Sequence, residues 1–79
     1  MAEVELRLFS GPNCGLCDDA VDLVSPFVGD GYRLQIVDVT SSLELKKRYG
    51  LKIPVLCRDD TGEELNWPFD QARVQAFLS

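Results

Sequence analysis

The sequence predicts one small α/β domain over residues 1–79, ordered β-α-β-α-β-β-α, with a mixed four-stranded sheet carrying helices on both faces. Three observations predict it. Apolar residues recur with a period of two in some segments and at helical spacing in others. Gly, Pro, Asn and Asp punctuate the chain at each change of period. At 79 residues and 46% apolar content, the chain is long enough for one modest core and too apolar for disorder at a net charge of −5. No linker, internal repeat or low-complexity stretch divides it.

Val4, Leu6 and Leu8 alternate with Glu5 and Arg7, a strand ending near Phe9. Ser10-Gly11-Pro12-Asn13 is turn chemistry. Cys17, Ala20, Val21, Val24, Phe27 and Val28 then form one helical stripe. Pro26 lacks an N–H and clashes with the carbonyl of Asp22, so the helix should kink or end there, and Gly29-Asp30-Gly31 closes the unit. Tyr32–Val39 is the second strand, parallel to the first through a right-handed crossover.

Ser41-Ser42-Leu43-Glu44 has the form of a capping box and should open a second helix. Lys46, Lys47 and Arg48 suit its last turn, and Gly50 suits a left-handed cap. Pro54–Cys57 is a short buried strand, and Asp60-Thr61-Gly62 turns it back antiparallel into Glu63–Leu65. Asp70 caps a last helix whose inner face is Val74, Phe77 and Leu78.

Charge and residue types exclude several functions. Thirteen Asp and Glu against eight Lys and Arg argue against a nucleic-acid groove or an anionic membrane as partner. No apolar run approaches the roughly 20 residues of a membrane span. Met1-Ala2-Glu3-Val4-Glu5 has neither a basic nor a hydrophobic leader region, so the expected compartment is the cytoplasm. With no histidine, Ser-His and Cys-His triads are absent. Three cysteines are an odd number, which counts against a disulfide framework. Chemistry falls to the thiols.

Cys14 and Cys17 stand where the first strand has ended and the first helix begins. A thiol there faces unpaired N–H groups and the positive end of the helix dipole, which favour the thiolate. Asp18 and Asp19 oppose this, so the expected lowering of the Cys14 pKa is moderate. Cys17, three residues on, lies on the same side of the turn and can attack a mixed disulfide formed on Cys14. A lone Cys-x-x-Cys also suits a metal. Zinc needs four ligands, which here would require a site shared between two chains or completed by carboxylates. Cys57 is expected to be a small buried hydrophobe. Five of the eight basic residues fall within Lys46–Arg58, mostly as a solvated helix end. Lys52, two residues before Pro54, is placed to meet a substrate carboxylate, and Trp67 to line a groove or pack at the sheet edge.

Pro12-Asn13-Cys14-Gly15-Leu16-Cys17 and Tyr49-Gly50-Leu51-Lys52-Ile53-Pro54-Val55 together resemble the glutaredoxins of the thioredoxin-fold superfamily. The resemblance implies a cis Pro54 opposite the redox pair, with Ile53 offering backbone N–H and C=O groups to an extended substrate. It implies a thiol–disulfide oxidoreductase in which Cys14 and Cys17 are catalytic and Ile53, Pro54 and Asp70 bind substrate; Lys52 and Trp67 join that substrate-binding set by their positions in the sequence. The family's Gly-Gly turn and following Asp are replaced by Asn66-Trp67-Pro68-Phe69-Asp70, so only Asp70 keeps part of that glutathione site. Gly15-Leu16 stands where glutaredoxins carry Pro-Tyr. The expected partners are a disulfide-containing protein or glutathione as co-substrate, with no bound cofactor or metal and the chain acting as a monomer. The alternative is a non-catalytic binding module of the same fold, with a shared zinc or iron–sulfur site.

Overall fold

The structure is a computed structural model and describes residues 3–78; Met1 and Ala2, the start of the segment read for a leader, lie outside them. The elements are β1 (Val4–Ser10), α1 (Gly15–Val24), β2 (Tyr32–Asp38), α2 (Leu43–Tyr49), β3 (Val55–Arg58), β4 (Glu64–Asn66) and α3 (Gln71–Leu78). Short 3-10 turns, Ser25–Phe27 and Val39–Ser41, follow α1 and β2. The sheet runs β2-β1-β3-β4, with β1 parallel to β2 and antiparallel to β3, and β3 antiparallel to β4. The predicted order, the mixed sheet and the pairing directions hold.

Alternation along the strands divides the core between two faces. Leu6, Leu8 and Leu56 point to one face and pack with Ala20 and Val24 of α1 and Val74 and Leu78 of α3. Phe9 and Val55 point to the other, where Val39 and Tyr49 of the α2 side cover them. The Phe9 and Tyr49 rings stack with centroids 4.1 Å apart. Two donors tie down the end of α3, where helix carbonyls lack partners. Tyr32 Oη donates to the Leu78 carbonyl, and Arg58 Nη1 donates to the Phe77 carbonyl at 2.7 Å.

Several local expectations are corrected. Pro26 ends α1 as expected, but the following 3-10 turn rotates Val28 out of the stripe and leaves it exposed. The cap of α2 is Ser42, not Ser41, and its hydroxyl accepts the Leu45 N–H at 3.4 Å. Ser41 instead donates its hydroxyl to the Asp38 carbonyl, within a turn that the Asp38 carboxylate also caps. Gly50 is right-handed, with φ −53°, rather than a left-handed cap. It is needed for space, since a Cβ there would lie 2.4 Å from the Lys46 carbonyl oxygen. Arg58 is no solvated cation, because its guanidinium is bonded to Asp60 as well as to Phe77. Asp70 caps α3 as expected, accepting the Arg73 N–H at 2.8 Å.

Candidate functional site

β1 ends at Ser10, and the chain must turn before it can enter α1. Asn13 supplies that turn with φ +56°, a left-handed value that asparagine tolerates better than most residues. Cys14 follows as the N-cap of α1, and its Sγ accepts the Cys17 backbone N–H at 3.1 Å. Cys14 and Cys17 are joined as a disulfide, with Cα atoms 5.2 Å apart across the first turn. The two sulfurs differ in access. Cys14 is half-buried, whereas Cys17 is 2% exposed and packs inward. Leu16 between them is exposed.

The β1–β3 register brings the second motif to the same end of the sheet. Phe9 pairs with Val55, so the preceding residues of β3 continue toward Ser10 and Gly11. The Ile53–Pro54 bond is cis, as the resemblance implied, and Pro54 is buried. Gly11 lies so close to Ile53 that a Cβ on it would meet Ile53 Cδ1 at 2.9 Å. The loop that carries the cysteines and the loop that carries the cis-proline are thus in contact. One detail differs from expectation. The Ile53 N–H donates to the Tyr49 carbonyl at 3.1 Å, satisfying the end of α2, so only its C=O is left for an extended substrate.

Val55 also pairs with Asn66 of β4, which carries Trp67 alongside this loop. Together Leu51, Lys52, Ile53, Asn66 and Trp67 line an open recess of about 440 Å³. At its rim Leu51 is fully exposed and Lys52 is exposed. Trp67 lines the recess and packs edge-on against buried Phe69, with centroids 5.0 Å apart. The Trp67–Pro68 bond is cis as well, which the sequence did not suggest. Asp70 sits in a separate recess with Pro68, Phe69 and Arg73, and its carboxylate is engaged as the cap of α3. The structure therefore gathers Lys52, Ile53 and Trp67 in one groove beside the buried Pro54 and places Asp70 outside it. Leu51 and Asn66 were missed, and the strand pairing that places Asn66 there was the signal available.

The face of the sheet under α2 holds a second recess, of about 470 Å³, which the sequence reading did not anticipate. Cys57 opens onto it and is only half-buried, which corrects the expected core thiol. Burial pushes its pKa up, and nearby Glu64 pushes the same way. Tyr49 donates its hydroxyl to the Glu64 carboxylate there. Burial, reinforced by that bond, pushes the Tyr49 phenol up to about 12. Among the described residues no three Cys, Asp or Glu side chains gather to hold a metal ion, and no helix is long and apolar enough to cross a membrane.

Comparison with known proteins agrees with this geometry. The family model of the glutaredoxin-like domain (DUF836) matches residues 5–79. The X-ray structure of the structural-genomics target protein XcR50 from X. campestris superposes with a TM-score of 0.81 at 37% identity, over 92% of this chain and 93% of that one. Its solution structure gives a TM-score of 0.79 at 36% identity, over 99% and 92%. Protein Ne2328 from Nitrosomonas europaea, solved by NMR, shares the fold with a TM-score of 0.81 at 20% identity, over 100% and 95%. No curated protein matches. A Cys-x-x-Cys turn capping the first helix, a cis-proline loop against it and a family match over nearly the whole length lead to one conclusion: the chain belongs to the glutaredoxin-like domain family.

Proposed function

We propose that this protein is a thiol–disulfide oxidoreductase that reduces disulfides in proteins or mixed disulfides of glutathione. The observation that carries the reading is the unequal pair of sulfurs: Cys14 accessible at the helix cap, Cys17 buried behind it. In the reduced protein the Cys14 thiolate, stabilised by the Cys17 N–H and the helix N-terminus, attacks a substrate disulfide and expels one substrate thiolate. Cys17, deprotonated, then attacks the Cys14 sulfur, releasing the second substrate thiolate and closing the Cys14–Cys17 disulfide. Two electrons have passed to the substrate. A dithiol protein or two glutathione molecules return them, and the reducing cytoplasm is the compartment that suits this cycle.

The substrate lies along the recess beside Pro54. Its backbone meets the Ile53 carbonyl, its apolar groups meet exposed Leu16, Leu51 and Trp67, and a carboxylate meets Lys52. Asp70 is held by its capping bond, which favours an extended protein segment over free glutathione in this groove.

A titration in glutathione redox buffers, quenched by alkylation and read by intact mass, tests the reading. A reversible two-thiol transition between about −270 and −180 mV, with Cys57 still free, is expected. Cys14→Ser should abolish exchange, and Cys17→Ser should accumulate a mixed disulfide on Cys14. Full exchange by the Cys14→Ser variant, or zinc retained by the reduced protein, would overturn it.

A further inference from the structure

We propose that the recess under α2 is a binding site for a small organic acid, an apolar body ending in a carboxylate or phosphate. Its floor follows from the strand register. Gln35, Arg7, Cys57 and Glu64 are successive cross-strand neighbours on β2, β1, β3 and β4, and all four border the recess. α2 has only seven residues. It covers the row holding Phe9 and Val55 and leaves this polar row open.

The charges in the recess run against those of the whole protein. The chain is −5 overall, yet two guanidiniums, Arg7 and Arg48, meet one carboxylate, Glu64, at this site. Glu64 is already occupied by the Tyr49 hydroxyl. Arg48 lies over the Tyr49 ring, 5.4 Å from its centroid, which steadies it without neutralising it. Arg7 has an ion pair with Asp59 at 3.5 Å, but both side chains are about half exposed, so water competes for that contact. Planar guanidiniums bind carboxylate or phosphate oxygens in pairs. Val37 and Leu45 supply apolar wall for the rest of the ligand. At about 470 Å³ the recess falls within the ordinary range of small-ligand clefts, about 300–1,000 Å³. It shares no lining residue with the groove beside Pro54, so this site stands apart from the proposed redox chemistry.

Cys57, on the floor, reports occupancy. With the Cys14–Cys17 disulfide left closed, it is the thiol open to iodoacetamide, and intact mass follows its alkylation. Benzoate and phenyl phosphate serve as probes. Benzyl alcohol has the body without the charge, and inorganic phosphate the charge without the body. At least one charged probe should slow alkylation saturably, by about tenfold at ten times its dissociation constant. Which of the two acts names the head group. Arg48→Gln, at an exposed position, should raise the concentration needed by about tenfold, with protection read against that variant's own rate without probe, because the Arg48 charge also acts on the Cys57 thiol. Amide shifts in the wild-type protein should be confined to the residues around Arg7, Gln35 and Cys57. Equal protection by benzyl alcohol, equal protection by inorganic phosphate, undiminished protection in Arg48→Gln, or no saturable slowing would each overturn the proposal.

Discussion

Tyr49 makes the stability of this fold sensitive to alkaline pH by an amount the structure sets. Its ring is buried against Phe9, and its hydroxyl donates to Glu64. A phenolate there would lose the donor, face a carboxylate and sit out of water, so folding favours the neutral phenol. The pKa rises from 10.0 to about 12 in the folded chain. At about 1.36 kcal/mol per pH unit this corresponds to roughly 3 kcal/mol of stability. Because the folded pKa is the higher one, that stabilisation is whole below pH 10 and is lost as pH rises toward 12. Tyr49→Phe removes both the bond and the titration. It should cost about 1 kcal/mol at neutral pH, the net value of one hydrogen bond whose exposed acceptor regains water. The two stability curves should then cross near pH 11, above which the Phe variant is the more stable, since the wild type has by then lost more than the roughly 1 kcal/mol that the bond contributes. Urea unfolding followed by circular dichroism across this range, with the disulfide closed, measures both curves. Groups that ionise there without facing Tyr49 contribute to both proteins and cancel in the difference; the Cys57 thiolate, which raises the Tyr49 pKa, does not, so both curves are measured in a Cys57→Ser background. Curves that stay parallel from neutral pH upward would refute the reasoning.

Two further predictions concern the segment that leads into the cis-proline. Gly50→Ala places a Cβ 2.4 Å from a backbone oxygen that cannot rotate away, so the variant should lose about 1–3 kcal/mol in chemical denaturation; a wild-type midpoint would show that α2 relaxes freely. Lys52→Glu should lower kcat/KM for a carboxylate-bearing disulfide substrate about three- to tenfold, the size of a surface charge contact made repulsive, and unchanged kinetics would return Lys52 to the solvated helix end.

What was legible in the sequence was local. Element order, the Cys14–Cys17 turn, the helix stop at Pro26 and the Asp70 cap each depend on a few adjacent residues, and each is found in the structure. What was misread turns on competition between neighbours. Ser41 has the right spacing to cap α2, but the Asp38 carbonyl takes its hydroxyl and the cap passes to Ser42. Ile53 has an N–H suited to a substrate, but the open end of α2 takes it through Tyr49. The recess under α2 was invisible for another reason. Arg7 and Cys57 read singly as a strand's polar side and a buried thiol. Only the register shows them to be neighbours, and only the shortness of α2 leaves them uncovered.

Gly11 is where the redox turn and the docking groove depend on one another, and it permits a test that separates them. A methyl group at this position would stand 2.9 Å from Ile53 Cδ1, against an ordinary carbon–carbon contact of about 3.5–4.0 Å. The atom in the way is the end of a side chain that can rotate, so Gly11→Ala should cost only about 0.5–1.5 kcal/mol in stability. Ile53 must nevertheless move, and it lines the groove beside Pro54. The cysteines themselves are held by α1, through the cap bond from Cys17 N–H and the burial of Cys17, neither of which Gly11 touches. The variant should therefore raise KM for a protein disulfide while leaving the reduction potential of the Cys14–Cys17 pair and the alkylation rate of reduced Cys14 unchanged. A shifted potential would mean that the two loops form one electrostatic unit. An unchanged KM would mean that substrates do not use the Ile53 side of the groove, and docking would then have to be sought on the Leu16 side of the cysteine turn.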